Sequence, residues 1–210
     1  MFTWNLLGIL LWVAVIMYLV FIIQHIRHMR IKMIVQKHKR FDLQTFLISL
    51  IEVAVFVVGF GYMFNVTILD NPDLEDTSRI SSHVVYKQLI PETSTSGKST
   101  YVKINSSKRR IGSQTYTVLV NGHKITVASS SAAIVYGSNP IGVDAERIPY
   151  NEKQLRKQDK KYQKAYVAIY TARYKANWQN GIGMHAGRLA TTYYLIRVPD
   201  SSFVRAAKDK

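Results

Sequence analysis

Lys153, Arg156, Lys157, Lys160, Lys161 and Lys164 recur at three- and four-residue steps, the spacing that places side chains together on one face of a helix. A face of six cations attracts phosphate- or carboxylate-bearing polymers, and the run Lys108, Arg109 and Arg110 can add to it. The competing reading is an ordinary solvated surface. Glu52 raises the opposite question, because it is a carboxylate near the middle of the apolar run from Phe41 to Phe64. A charge at that depth of a bilayer costs roughly a few kcal/mol unless it is protonated or paired. Antiparallel pairing predicts that Trp12 to Val15 face it, and none of these can donate a charge-assisted bond; Ser49, one turn earlier, is its near polar neighbour. Glu52 is then an assembly contact with a second copy or another membrane protein, a proton carrier, or a neutral carboxyl capped locally.

Other chemistry-bearing residues form no recognisable arrangement. Gly97-Lys98-Ser99-Thr100 looks like the end of a phosphate-binding loop, but Glu92 stands where that motif requires glycine. His83, His123 and His185 are widely separated and lack the spacing of a zinc site. Asp144 and Glu146 are two apart in a loop and read as solvated acids, with a carboxylate pair as the alternative, and Ser129-Ser130-Ser131 has no nucleophile-elbow context. The chain has no cysteine, which excludes disulfides, thiolate metal sites and a thiol nucleophile. These absences point to a non-enzymatic protein with no cofactor and no metal.

The elements that position these residues begin with two apolar runs, Trp4 to Ile23 and Phe41 to Phe64. About 20 apolar residues in a helix cross a hydrocarbon core of about 30 Å, so both runs read as membrane spans. The first is not a cleaved signal peptide: its basic residues follow the apolar stretch, and Gln24-His25-Ile26-Arg27 offers no small-residue cleavage site. Between the spans, residues 24–40 carry Arg27, Arg30, Lys32, Lys37, Lys39 and Arg40 and no carboxylate. Such a turn stays cytoplasmic, which predicts an extracytoplasmic N-terminus and an extracytoplasmic domain from Asn65 onward. Gly8 faces Gly59 and Gly61 at similar depth and predicts close helix packing.

Past the spans, residues 65–100 read as an acidic stalk, with Asp70, Asp73, Glu75 and Asp76, followed by a Ser/Thr-rich loop. Residues 101–210 read as a basic β-rich domain. Gln114 to Val120 and His123 to Val127 flank Asn121-Gly122, the pair that supplies the positive φ angles of a two-residue hairpin turn. Tyr101 to Asn105 and Ala132 to Tyr136 are further strands. Asn151 and Gln154 have capping-box spacing at the start of the basic helix. Tyr166, Ala168, Tyr170, Ala172, Tyr174, Ala176 and Trp178 occupy alternate positions, which predicts a strand from about 165 to 178 with its tyrosines packed in a sheet core. A single helix from Asn151 to Trp178 is the alternative. Arg188 to Val198 returns as a strand.

From Lys98 to Lys210 there are 20 Lys/Arg against 6 Asp/Glu, a net +14 within the chain's +15. Outside a cytoplasmic membrane the matching polyanions are anionic phospholipid headgroups and wall polymers such as teichoic acids, with nucleic acid not expected there. The two spans, the basic turn and the stretch Tyr174-Lys175-Ala176-Asn177-Trp178-Gln179-Asn180-Gly181-Ile182-Gly183 resemble uncharacterised small two-span membrane proteins of lactic acid bacteria. That resemblance implies a Gram-positive envelope and carries over no activity. The sequence therefore predicts an α+β protein: a two-helix transmembrane hairpin over residues 1–64, then a β-rich extracytoplasmic domain with one basic helix. It binds anionic wall or membrane polymers, or assembles through its spans with a membrane transporter or envelope enzyme.

Overall fold

The computed structural model describes residues 2–37, 43–93, 97–106 and 114–206. The chain folds as two compact units, one of residues 1–79 with 174–188 and the other of 80–173 with 189–210.

The first unit is built on α1 (Phe2–Lys37) and α2 (Leu43–Phe64), two helices long and apolar enough to cross a membrane. α1 does not end with its apolar run. No glycine or proline stands between Gly8 and Gly59, so nothing in residues 24–37 breaks the helix, and Arg27, Arg30 and Lys32 extend it where a turn was expected. At 1.5 Å per residue α1 is about 54 Å long. α2 runs directly into a π-helical turn, Asn65–Leu69. The Trp12 indole meets the Phe60 ring edge-on at 5.8 Å and donates to the Thr67 hydroxyl at 3.1 Å.

The stretch expected as an acidic stalk is instead folded, its first part into this unit. Arg79 grips both carboxylate oxygens of Asp70 and donates from Nε to Asn180 Oδ1 at 3.0 Å. Asn180, fully buried, donates to the carbonyls of Arg79 and Lys175, each at 2.9 Å. It lies on α4 (Trp178–Ile182), whose cap is Asn177. Trp178 thus belongs to a helix and not to the tyrosine-rich strand. The glycines show how closely α4 approaches α1: a Cβ on Gly181 would lie 2.5 Å from the Trp4 carbonyl, and one on Gly8 would lie 2.5 Å from the Ile182 carbonyl. Asn5 and the Ala186 backbone exchange two hydrogen bonds, at 3.1 and 3.0 Å. Gly8 therefore packs on α4. Gly59 lines an apolar cavity of about 320 Å³ between α1 and α2, and a Cβ added there would meet nothing within 4 Å.

The second unit stacks two four-stranded sheets. Its strands are β1 (Ile80–Gln88), β2 (Glu92–Thr93), β3 (Ser99–Thr100), β4 (Val102–Ser106), β5 (Gln114–Val120), β6 (His123–Ala128) and β7 (Ala132–Val135). After α3 (Glu152–Lys161) come β8 (Tyr166–Tyr174), β9 (Leu189–Arg197) and β10 (Val204–Ala206). One sheet has the order β1-β8-β9-β7 and the other β10-β4-β5-β6, while β2 and β3 pair with each other. The β5–β6 hairpin turns at Asn121 and Gly122 with φ of 49° and 82°, as their residue types predict.

β8 is the strand expected from the alternating tyrosines, although it ends at Tyr174. Both of its faces are covered. Val167 joins Val102, Val118, Val127, Ile196 and Val198 in the core between the sheets. Tyr166, Ala168, Tyr170 and Ala172 are buried on the opposite face, where Leu155 of α3 and Tyr150 are also buried. The Tyr150 hydroxyl lies 3.2 Å from the carbonyls of both Ala168 and Tyr193 and shares its one proton between them, and its ring meets Tyr170 edge-on. These tyrosines form core and leave no exposed aromatic platform. β1 completes this sheet, although residues 80–88 carry no strand expectation in the sequence.

The two kinds of glycine predict opposite outcomes. Gly8→Val drives a side chain into backbone that cannot retreat and is expected to lower the thermal unfolding midpoint of the detergent-solubilised chain, costing about 1–3 kcal/mol. Gly59→Val enters open apolar space and is expected to leave the midpoint unchanged or raised. Equal losses in both would show that Gly59 is a packing contact after all.

Candidate functional site: the basic face of α3

Asn151 caps α3, its side-chain oxygen accepting the Gln154 N–H at 3.2 Å, with Glu152 in the first turn and Lys160 and Lys161 in the last. These choices suit the helix dipole, which favours acids at the N-terminus and cations at the C-terminus. Leu155 is fully buried and sets which side faces inward. Lys153, Arg156, Lys157, Lys160 and Lys161 are exposed and span about 140° of the opposite arc at 100° per residue.

What makes that face strongly positive is the fate of the acids. Asp159 points inward and accepts from Nε and a terminal nitrogen of Arg197, both at 3.0 Å, and from the Tyr166 hydroxyl at 3.0 Å. Arg197 has no solvent exposure, and its terminal nitrogen also donates to the Gly137 carbonyl at 2.8 Å. Burial, reinforced by the Asp159 charge, holds the Tyr166 hydroxyl far above the usual phenol range, so it stays a neutral donor. Glu152 is matched by Arg156, whose Nε lies 2.9 Å from its carboxylate. Lys153, Lys157 and Lys160 have no ion pair among the described residues, and Lys161 lies 5.0 Å from the Tyr162 ring centroid.

Not every expected member joins the face. Gln163 and Lys164 both take positive φ, 51° and 60°, and the Lys164 amine donates to the Gly137 carbonyl at 3.0 Å. Lys164 therefore turns back toward the loop that Arg197 also holds. Lys108, Arg109 and Arg110 lie outside the described residues.

Glu52 has a partner within its own helix pair, contrary to the expectation that none exists there. His25 Nδ1 lies 2.6 Å from Glu52 Oε1, and the His25 ring stacks on Phe21 at 5.5 Å. Ser49 does not cap Glu52; its hydroxyl donates to the Thr45 carbonyl at 3.0 Å. The pairing register is the physical reason. With α1 continuing to Lys37, Trp12 lies against Phe60, and the depth of Glu52 is reached by His25 instead of Trp12 to Val15. The unbroken helical sequence through residues 24–37 is the signal that could have revealed it.

No cluster of three or more metal-ligating side chains occurs among the described residues. His83 and His123 are exposed on strands of the second unit, whereas His185 belongs to the first, its ring stacked on Tyr174 at 5.0 Å.

Removing Asp159 isolates the contribution of the inward acid. Asp159→Ala leaves the Arg197 charge buried and uncompensated and is expected to cost about 3–5 kcal/mol. Chemical denaturation followed by tyrosine fluorescence measures this, and a loss below about 1 kcal/mol would show that Asp159 does not hold α3 to the sheet.

No curated protein and no solved structure matches the chain. A family model described only by a "-like" designation, after a locus of a lactic acid bacterium, matches residues 3–205, and the chain belongs to that uncharacterised family.

Proposed function

We propose that this is a membrane-anchored, non-enzymatic protein of a Gram-positive cell envelope, whose basic domain binds anionic wall or membrane polymers outside the cytoplasmic membrane. α1 and α2 are the spans. Arg27, Arg30, Lys32, Lys37, Lys39 and Arg40 hold their junction on the cytoplasmic side, so both the N-terminus and residues 65–210 are extracytoplasmic. The observation that carries the reading is the face of α3: its two acids are occupied by Arg156 and Arg197, while Lys153, Lys157, Lys160 and Lys161 face solvent. A surface of that kind offers phosphate groups several cations in one row. The partners are teichoic acid and anionic phospholipid headgroups, and nucleic acid is absent from that side.

A second reading is an accessory subunit that assembles through its helices with a transporter, an envelope enzyme or a second copy. Its support is Glu52, a carboxyl in an apolar helix that keeps 16% side-chain exposure while Oε1 takes His25. Inside a bilayer an ionisable side chain faces protein more often than lipid.

Each cation near an anionic surface contributes about 1 kcal/mol. Replacing Lys153, Lys157 and Lys160 by glutamine in the full chain is therefore expected to weaken binding to teichoic acid, or to vesicles containing phosphatidylglycerol, on the order of 100-fold at low salt. Binding that ignores both the substitutions and added salt would remove the polymer reading. Sidedness is tested separately with a reporter fused after Lys210 that is active only in the cytoplasm: silence is expected, and activity would overturn the orientation. For the second reading, Glu52→Gln is expected to abolish co-purification of a membrane partner in mild detergent; retention would exclude Glu52 as the contact.

A further inference from the structure

Asp144 and Glu146 lie on an open cleft of about 900 Å³ in the second unit. Three parts of the fold form it: the 3-10 turn Ser129–Ser131, the turn Val143–Ala145 with the residues after it, and β9. The loop that carries the carboxylates is held in place from below. Ala145 is fully buried, its N–H bonded to the Gly142 carbonyl at 2.9 Å, and the Tyr193 hydroxyl donates to the Asp144 carbonyl at 2.8 Å. Burial raises the Tyr193 pKa, so this bond persists well above neutral pH.

These two carboxylates differ from every other acid described in this unit. Glu92 pairs with Lys103, Glu152 with Arg156 and Asp159 with Arg197, and Asp200 accepts the Ser202 N–H. The side chains of Asp144 and Glu146 make no hydrogen bond or ion pair among the described residues. In a region of net +14, these two carboxylates beside Arg147 are solvent-exposed and free to accept from a ligand. Ser129, Ser130 and Thr191 bring hydroxyls to the same cleft; Val143 is its exposed apolar residue, while Ile148 and Tyr193 beneath it are more than nine-tenths buried.

We propose that this cleft binds an uncharged, hydroxyl-rich ligand, namely an oligosaccharide. Charge narrows the choice. The two carboxylates repel an anion at short range, while Arg147 and the surrounding positive charge disfavour a cation. A sugar satisfies both constraints. Its hydroxyls donate to Asp144 and Glu146, its oxygens accept from Arg147, and the serine and threonine hydroxyls serve in either sense. The C–H face of a pyranose rests on the exposed Val143 side chain. The volume falls within the range of about 300–1,000 Å³ typical of small-molecule sites. This site is distinct from α3: it recognises the hydroxyls of a polymer, where α3 answers to its phosphates.

The test uses the full chain in a sugar-free detergent, applied to an array of neutral, acidic and amine-bearing oligosaccharides, with affinities from titration calorimetry. Neutral oligosaccharides are expected to be retained, with little change on raising salt and no change on substituting the α3 lysines. Asp144→Asn with Glu146→Gln is expected to weaken binding about tenfold or more, since bonds to charged acceptors are lost. Should that double variant lower the thermal midpoint, Ser130→Ala with Thr191→Ala supplies an independent readout, with a loss of about threefold expected. The proposal is overturned by any of three results: no neutral sugar binding at about 10 mM, a preference for acidic or amine-bearing sugars, or wild-type affinity in folded variants of both kinds.

Discussion

Arg197 carries a full positive charge at a position with no solvent exposure, and a charge so placed must be paired or it destabilises the fold by several kcal/mol. Asp159 meets it from α3 with two bonds, Tyr166 steadies the carboxylate, and Gly137 accepts a third bond from Nη2, while Nη1 is buried without a partner. That constraint decides the rotation of α3 about its axis. With Asp159 and Leu155 turned inward, the lysines have only solvent to face. The outward charge thus follows from an inward requirement, and the acid that would have neutralised the face is drawn away from it. It also ties α3 to β9 and β8, so the face rests on the most deeply buried strands of the unit.

A different device organises the helical unit. Among the described residues its long helices share little polar contact, chiefly Trp12 to Thr67 and His25 to Glu52. What closes the unit is the segment 174–188, which is remote in sequence from both helices. Gly8 and Gly181 remove the side chains that would keep the backbones apart, and Asn5 satisfies the Ala186 backbone at the contact. Asn180 then binds the chain at Arg79, whose guanidinium is committed to Asp70. Buried polar groups in such a network stabilise only when every member is satisfied. Asn180 meets that condition, its side-chain oxygen accepting from Arg79 and its amide donating to two carbonyls.

Local chemistry was legible where one residue type admits few conformations. Asn121-Gly122 required its turn, Asn151 required its helix start, and the period of two from Tyr166 to Tyr174 required a strand. The period broke at Lys175 because Asn177 caps a new helix there, a local signal as strong as the alternation it interrupted. Of the basic face, the positions on α3 were legible from their spacing, but Lys164 was not, since its positive φ turns it toward Gly137. The partner of Glu52 was hidden because an apolar run does not mark the limit of a helix; helicity depends on backbone compatibility, and lysine and arginine extend a helix readily.

By itself, then, the sequence determined the lengths of the apolar runs, the strand and hairpin positions, and the number and spacing of the cations, because each of these depends on neighbours along the chain. Only the tertiary structure decided which charges remain outward, which acids stay unpaired, and which glycines are contacts. Asp144 and Glu146 look like any loop acids in sequence, as Gly8 and Gly59 look like equivalent packing positions. Their difference arises from what lies across from them in space: β9 and the Ser129–Ser131 turn for the acids, and α4 for Gly8 but a cavity for Gly59. Those neighbours are separated by tens to more than a hundred residues, and no periodicity along the chain reports them.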